Sequence, residues 1–285
     1  VNAGFDKPEF RGGIQGHLRL LCAPDSRGVS SLREQSFRAP IHLSKPHWEG
    51  NTLVLNVVNP TAGLLEDDRV TQEATVARGA SLVLTMPGAS RAHRVRQGWA
   101  AMEQKFTVEN GGSLEVLPEI FIPQSGACYR QSTLLKVEEG GELLYFESLA
   151  PGRTASGEVF QYRWLGWRTD LHIGDTHAAR ERLRMEPGTP PMRALAGHFP
   201  TAYYASAYGV SPRFGNNTSV LQSIHALHGG ESWVGASPLA HPHGLGVRIV
   251  SQNATSMRDT LAKLRRILHA AMGRTPPDLR RTAGR

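Results

Sequence analysis

Thiols are nearly absent from this chain. Of 285 residues only Cys22 and Cys128 carry one, and neither stands in a C-x-x-C or zinc-ligand spacing. A disulfide framework and a thiolate zinc site are both excluded, and a reducing, cytosolic setting fits best. No uninterrupted apolar run reaches the roughly 18 residues that a spanning helix needs. The opening residues VNAGFDKPEF lack a cationic stretch followed by an apolar one. The expectation is a cytoplasmic protein, neither exported nor membrane-spanning. Also missing is a Lys/Arg block interleaved with aromatics. The balance of 32 Lys and Arg against 25 Asp and Glu leaves a formal charge of +7, but the basic residues are scattered except near the C-terminus. That reads as a positive, soluble surface with no nucleic-acid partner. There is no G-x-S-x-G elbow, and Cys128 in QSGACYRQ has no neighbours that mark an activated nucleophile, so a buried strand cysteine is the default.

What the chain does have is strands. It is long enough to bury a substantial core. From about residue 16 to residue 184 short runs rich in Val, Leu, Thr and aromatics alternate with turn signals, among them NTLVLNVVNP, SLVLTMPG, KFTVENGG and STLLKVEEGG. The turns at VARGA, ENGG and EEGG supply Gly where positive φ is needed. VFQYRWLGWRTDLHIG alternates large apolar and polar residues and predicts one long half-buried strand with a bulge or bend at Gly166. No repeat of fixed period is present, so stacked sheets and a β-helix are both allowed.

The character changes further on. MEPGTPPMRA reads as a connection, FPTAYYASAYGV as another strand, and SVLQSIHALHG as a weak helix. Met257, Leu261, Leu264, Leu268 and Ala271 recur at spacings of three and four, which predicts a helix capped by Thr255 or Ser256 and stopped at Gly273. The organisation expected is a single domain over 1–285. It has a β-rich body at about 16–184, a strand-and-helix part at about 192–273, and a loosely held polar tail at 274–285.

Three groups of residues invite a metal or charge reading. In NPTAGLLEDDRV, Glu66, Asp67 and Asp68 are hard oxygen ligands, but neighbours along an extended chain point to opposite faces and the EF-hand spacing is absent. Spacing alone favours a solvated turn. In ESLAPGRTASGE, Glu147, Arg153 and Glu158 bracket a Gly- and Ser-containing loop without a phosphate-cradle spacing. A guanidinium held between carboxylates fits there, or else charges lining a polar channel. Twelve histidines include HPH at His241 and His243 and HALH at His225 and His228. Neither pair has a carboxylate at an offset such as H-E-x-x-H, which favours ordinary loop histidines and no fixed metal site. Asp68, His241 and His243 stand as the weak metal candidates.

Taken in order, NPTAGLLEDDRV, GASLVLTMPGASRAHRV, GGSLEVLPEIFIPQSGACYRQSTLLKV, ELLYFESLAPGRTASGEVF and HGLGVRIVSQNATSMRDTLAKLRRIL resemble the UreD/UreH family of urease accessory proteins. The match is collinear from about residue 16 to residue 270. The resemblance implies a mainly β fold of many short strands in stacked, β-helix-like sheets, with a few α-helices toward the C-terminus. It implies a non-enzymatic maturation factor that binds the urease apoprotein and UreF-like and UreG-like accessory proteins. Nickel, delivered upstream by a UreE-like donor, would reach the urease active site through a water-filled internal channel. No cofactor would be tightly bound, and nickel would be in transit.

Carried over by position, Asp68 matches the Asp that closes the family's Gly-Asp pair, and Glu147, Arg153, Gly157 and Glu158 match its Glu, GR and GE positions. Pro118 and Glu119 match its LP segment. Asp67 departs from the pattern, standing where the family usually has Gly, which questions whether the turn keeps a positive φ. Glu66, Asp68, Glu119, Glu147, Arg153 and Glu158 are therefore the expected nickel-path or charge-network residues. Carboxylates and water would hold Ni²⁺ weakly enough to release it. Two other readings remain at this level, a β-helix polysaccharide-active enzyme and a metal-free interaction module.

Overall fold

The apolar runs do form strands, and the Gly-containing turns decide how they stack. The computed structural model describes residues 12–215 and 218–279. In chain order the strands begin with β1 (Gln15–Pro24), β2 (Ser30–Arg38), β3 (His42–Leu43), β4 (His47–Glu49), β5 (Thr52–Val58) and β6 (Arg69–Val76). They continue with β7 (Ser81–Met86), β8 (Arg91–Ala92), β9 (Ala100–Val108), β10 (Ser113–Pro118), β11 (Ile122–Pro123) and β12 (Cys128–Val137). The last six are β13 (Glu142–Leu149), β14 (Trp164–Ile173), β15 (Thr176–Met185), β16 (Tyr203–Val210), β17 (Ser232–Pro238) and β18 (Gly244–Ser251). Helices α1 (Pro190–His198), α2 (Thr218–His225) and α3 (Ala254–Ala271) lie in the C-terminal part. No helix among the described residues is long and apolar enough to cross a membrane.

The chain winds back and forth between two sheets. One has the order β15-β14-β12-β9-β6-β1-β2 and the other β17-β18-β16-β13-β10-β7-β5-β3. Pairs β1·β6, β6·β9, β9·β12 and β12·β14 are parallel, as are β5·β7, β7·β10 and β10·β13. The result is a β-solenoid of about 4 turns, the stacked, β-helix-like architecture expected. Antiparallel strands close its ends. The turns stack as well: Gly79 donates to the Gly111 carbonyl at 3.1 Å and Gly111 to the Gly140 carbonyl at 3.2 Å. All three glycines have positive φ, between 73° and 82°, which only a residue without Cβ adopts at no steric cost.

Register places the core. On the inward face of the first sheet Leu20, Ala74, Phe106, Leu135 and Leu171 align rung on rung, and so do Cys22, Val76, Val108, Val137 and Ile173. Both cysteines are buried and free. Facing them are Leu53, Leu82, Leu114 and Leu143 of the second sheet. The outer face of that sheet is also apolar, and α3 covers it. Met257, Leu264 and Leu268 are each 0% exposed there, packed with Phe146, Ala207 and Val247 in a second core. Each such side chain contributes about 1.5–3 kcal/mol relative to leaving it in water. Glu115 projects from this same face and is clamped by Arg265 of α3, with bonds of 2.6 and 2.9 Å.

Local expectations are refined at several points. The Pro-rich stretch is a connection only as far as Thr189. It then enters α1 with proline in the first turn, where the missing N–H costs nothing. The cap of α3 is Asn253, whose side chain accepts from the Ser256 N–H at 2.9 Å, and neither Thr255 nor Ser256 fills that role. Gly273 has φ 68° and does stop the helix. Gly166 sits in regular pairing, and the irregularity of β14 falls between Leu171 and His172 instead. Phe160 and Tyr162 precede that strand, and Phe160 has φ 51°. In the tail, Arg274 is held by Glu142 at 2.9 Å, whereas residues 280–285 lie outside the described residues.

Candidate functional site

The inward face of the solenoid is not apolar along its whole width. One row toward the N-terminal ends of the first-sheet strands, Gln72, Gln104, Thr133 and Thr169 follow one another across β6, β9, β12 and β14. All four are buried. The next row outward brings Val70, Met102, Gln131 and Trp167 into line. From the second sheet Tyr145, Glu147 and Ser206 point into the same space. Buried polar groups of this kind have to be bonded to one another, and they are. Gln104 donates to Gln72 at 3.0 Å, and Gln131 and Thr133 donate to Gln104 at 3.2 and 3.0 Å, with the Tyr145 hydroxyl oxygen 2.9 Å from the same Gln104 oxygen.

Glu147 is the one acid in this interior network. Its Oε1 accepts from the Tyr145 hydroxyl at 2.5 Å, Gln131 at 2.7 Å and the Trp167 indole at 2.8 Å, while Ser206 reaches Oε2 at 3.3 Å. Burial pushes its pKa up, and the donors from Tyr145 and Trp167 act in the other direction. Among the described residues no cationic side chain forms an ion pair with it.

Three cavities follow one another along the row. The first, about 250 Å³, is lined by Val58, Gly63, Gln72, Met86, Ser90 and Met102 among others. The second, about 40 Å³, shares Met86, Ser90 and Met102 with it and adds Gln104, Gln131 and Glu147. The third, about 10 Å³, shares Glu147, Ser148 and Trp167 with the second and reaches Glu181, Tyr204 and Ser206. A single water needs on the order of 10–15 Å³ of such space and a few polar partners. The smallest cavity is thus the size of one water and the middle one holds a few. Glu147 stands in the shared wall between them. Beyond the third cavity Glu181 accepts from Tyr204 at 2.6 Å, Tyr208 at 2.8 Å and Arg248 at 2.8 Å.

The residues singled out by sequence divide into two groups. Glu147 lines the second and third cavities and Glu119 the second, where Pro118 also contributes. Glu119 is bonded to Arg258 of α3 at 3.1 Å. The others line none of the three. Asp68 is buried, with one carboxylate oxygen accepting from the Ile14 N–H at 2.8 Å and the other from the Leu65 N–H at 2.7 Å. Asp67 has φ 62° and the Asp68 N–H reaches the Leu65 carbonyl at 3.2 Å, so the turn keeps its left-handed residue without glycine. Glu66 accepts from the Arg96 and Gln97 backbone at 2.9 and 2.6 Å, which lowers its pKa.

Arg153 pairs with Glu158 through two bonds, one of them 2.9 Å, and does not hold Glu147. That guanidinium, with the Ser125 N–H at 3.0 Å, holds Glu158 down to about 2. Gly157, at φ 74°, closes the short 3₁₀ turn between the two. His225 and His228 bond to the β17 backbone. His241 and His243 lie at the opposite ends of the strands from the cavities. Sequence reading passed over Gln72, Gln104, Gln131, Tyr145, Trp167 and Glu181. The available signal was polar residues at inward positions of otherwise alternating strands, as in RVTQEATV.

The collinear motifs find their counterpart in comparison with known proteins. Residues 15–283 match the model of the family described as UreD urease accessory protein. A urease accessory protein UreD of Opitutus terrae is 37% identical over 271 residues, covering 93% of this chain and 98% of that protein. One from Pseudomonas putida strain W619 is 29% identical over 269 residues, covering 94% and 93%. One from Mycolicibacterium gilvum is 29% identical over 265 residues, covering 89% and 94%. These relatives are named as accessory proteins and not as enzymes. With a match across nearly its whole length and a relative above 30% identity, the chain belongs to the UreD family of urease accessory proteins.

Proposed function

We propose that this protein assists nickel insertion into urease, without catalysis of its own, and that nickel moves through it along the three cavities, the first of which opens to the surface. The observation that carries this is the position of Glu147, an unpaired buried carboxylate in the wall common to two cavities. Its companions are amide, hydroxyl and indole groups. Ni²⁺ prefers imidazole and thiolate when it is to be kept, so oxygen ligands and water give a route that releases it. A scaffold role accompanies the route: the chain joins the urease apoprotein and UreF-like and UreG-like partners, so that entry and exit are both in contact with proteins. The family relationship supports that part, since the relatives are named for their service to urease.

Glu147→Gln, and separately Glu181→Gln, tests the route. The readouts are co-purification with the UreF-like and UreG-like partners and nickel per urease active site after activation. Intact assembly with nickel content reduced several-fold is the expected result. Full nickel loading by both variants defeats the route, and loss of assembly by both points to an interaction module that carries no metal.

A further inference from the structure

The HPH pair lacked a nearby carboxylate in sequence, and the fold supplies one. Glu139, in the turn between β12 and β13, lies 102 residues from His241 along the chain, yet its Oε1 is 3.0 Å from His241 Nε2. Its Oε2 is 3.8 Å from His243 Nδ1. One ligand atom from each of the three residues lies within 4.8 Å of the other two. The geometry points to a second, fixed site for a borderline divalent cation, Ni²⁺ or Zn²⁺, formed by Glu139, His241 and His243 at the edge of the solenoid away from the cavities.

The distances suit the chemistry. A cation with bonds of about 2.0–2.2 Å and ligand angles between octahedral and tetrahedral spaces its ligand atoms roughly 2.9–3.6 Å apart. The observed 3.0 Å falls inside that range and 3.8 Å just above it, and all three ligand atoms lie within 4.8 Å of one another, so binding draws them together by no more than about 2 Å, an adjustment that the exposed Glu139 side chain can make. Two imidazoles and one carboxylate are the donor set of open zinc and nickel sites, and they leave room for water.

The backbone is set beforehand. In the loop between β17 and β18, Ala240 donates to the Ala178 carbonyl at 3.2 Å, Gly244 to His241 at 2.9 Å, and Ser211 to the His243 carbonyl at 3.0 Å. Glu139 is fitted against Gly174, where a Cβ would come within 2.7 Å of its Oε1. His241 is nearly buried, His243 half-buried and Glu139 exposed, so the third ligand closes from solvent. In the metal-free state His241 Nδ1 accepts from the His243 N–H at 3.2 Å, which leaves its proton on Nε2, facing Glu139. On binding, that proton moves to Nδ1, the Nε2 lone pair goes to the metal, and the long Nδ1 contact is given up. The His243 N–H, now facing a protonated Nδ1, has to turn to water or another acceptor. This site is independent of the interior route and stands or falls separately from it.

Isothermal titration of the full chain with NiCl₂ and with ZnCl₂ tests it, alongside the double variant His241→Ala/His243→Ala and the single variants His243→Ala and Glu139→Gln. The expected result is one equivalent bound in the micromolar range, lost in the double variant and weakened at least tenfold in each single one. X-ray absorption at the nickel edge is expected to show two imidazoles in the wild type. His243 is only half-buried, and its replacement is expected to leave the circular dichroism spectrum unchanged. Equal stoichiometry and affinity in wild type and His243→Ala would overturn the site, as would a nickel spectrum without imidazole.

Discussion

Replacing Glu115 by Gln is the sharpest test of how α3 is fixed to the solenoid. The Glu115 and Arg265 side chains are 3% and 13% exposed, and two bonds of 2.6 and 2.9 Å join them. His269 of the same helix adds its Nε2 at 3.3 Å. Burial alone would raise the Glu115 pKa, but the Arg265 guanidinium and the His269 ring outweigh it and bring it from 4.5 to about 2. A difference of about 2.5 units corresponds to roughly 3 kcal/mol of folding stability. Glutamine keeps the shape but leaves a buried guanidinium without its counter-charge, which also costs about 3–5 kcal/mol.

The sign with pH follows from the lowered value. The contribution is complete above the unfolded pKa near 4.5 and is lost as pH falls toward 2. By pH 3 roughly 2 kcal/mol of it has gone. Urea unfolding of wild type and Glu115→Gln at pH 7 and pH 3 measures this directly. The gap between the two proteins is expected to be about 3 kcal/mol at pH 7 and to shrink by more than half at pH 3. Carboxylates common to both cancel in that difference. A gap below about 0.5 kcal/mol at pH 7, with equal urea dependence, would refute the reasoning, because it would mean the clamp does no more than a surface pair.

Two further outcomes follow from the acids singled out by sequence. Asp68→Ala strands the Ile14 and Leu65 N–H groups and is expected to destabilise the protein by about 2–4 kcal/mol, seen as a lower thermal midpoint. A midpoint unchanged by that substitution would show that water satisfies both groups. Glu147→Gln is expected to do the reverse: its folded pKa is raised by burial, so the carboxylate weakens folding once pH passes the unfolded value. The variant should equal or exceed wild type in stability at pH 7, with the advantage shrinking as pH falls toward about 4.5 and absent below it, and a clear loss at pH 7 would contradict it.

Much of the fold could be read from the chain because strands announce themselves locally. Alternation and Gly-rich turns marked β7, β9, β10 and β12, and the three-and-four spacing marked α3. Stacking was harder to see, since the rungs share register without a shared residue pattern: Leu20, Ala74, Phe106, Leu135 and Leu171 fill one row with five positions and three residue types. The interior polar row was hidden for the same reason. Gln72, Gln104 and Gln131 come one to a rung, and only the register brings them together. Family likeness did lead to Glu147. It also led to Asp68 and Glu158, whose carboxylates are occupied by backbone and guanidinium groups, because a likeness transfers positions without saying which way a side chain faces. Pairs such as Glu115 with Arg265, 150 residues apart, have no local signal at all.

The grading of the inward face explains how one solenoid can carry both a firm apolar core and a polar interior row. Across the width of the first sheet the rows pass from Val, Cys and Ile, through Leu, Phe and Ala, to Gln and Thr. The aliphatic half buries enough surface to hold the rungs in register, and α3 adds a second core on the outer face of the other sheet. Register in turn places each polar side chain opposite a partner, so the network has little unmet hydrogen bonding to weaken it. A cavity wall built on strands is also more exact than one built on loops, because each residue is fixed by neighbours above and below. Glu147 can therefore remain buried because the rungs, and not a local loop, supply its five donors. An acid whose environment is set in this way keeps its place whichever charge state it holds.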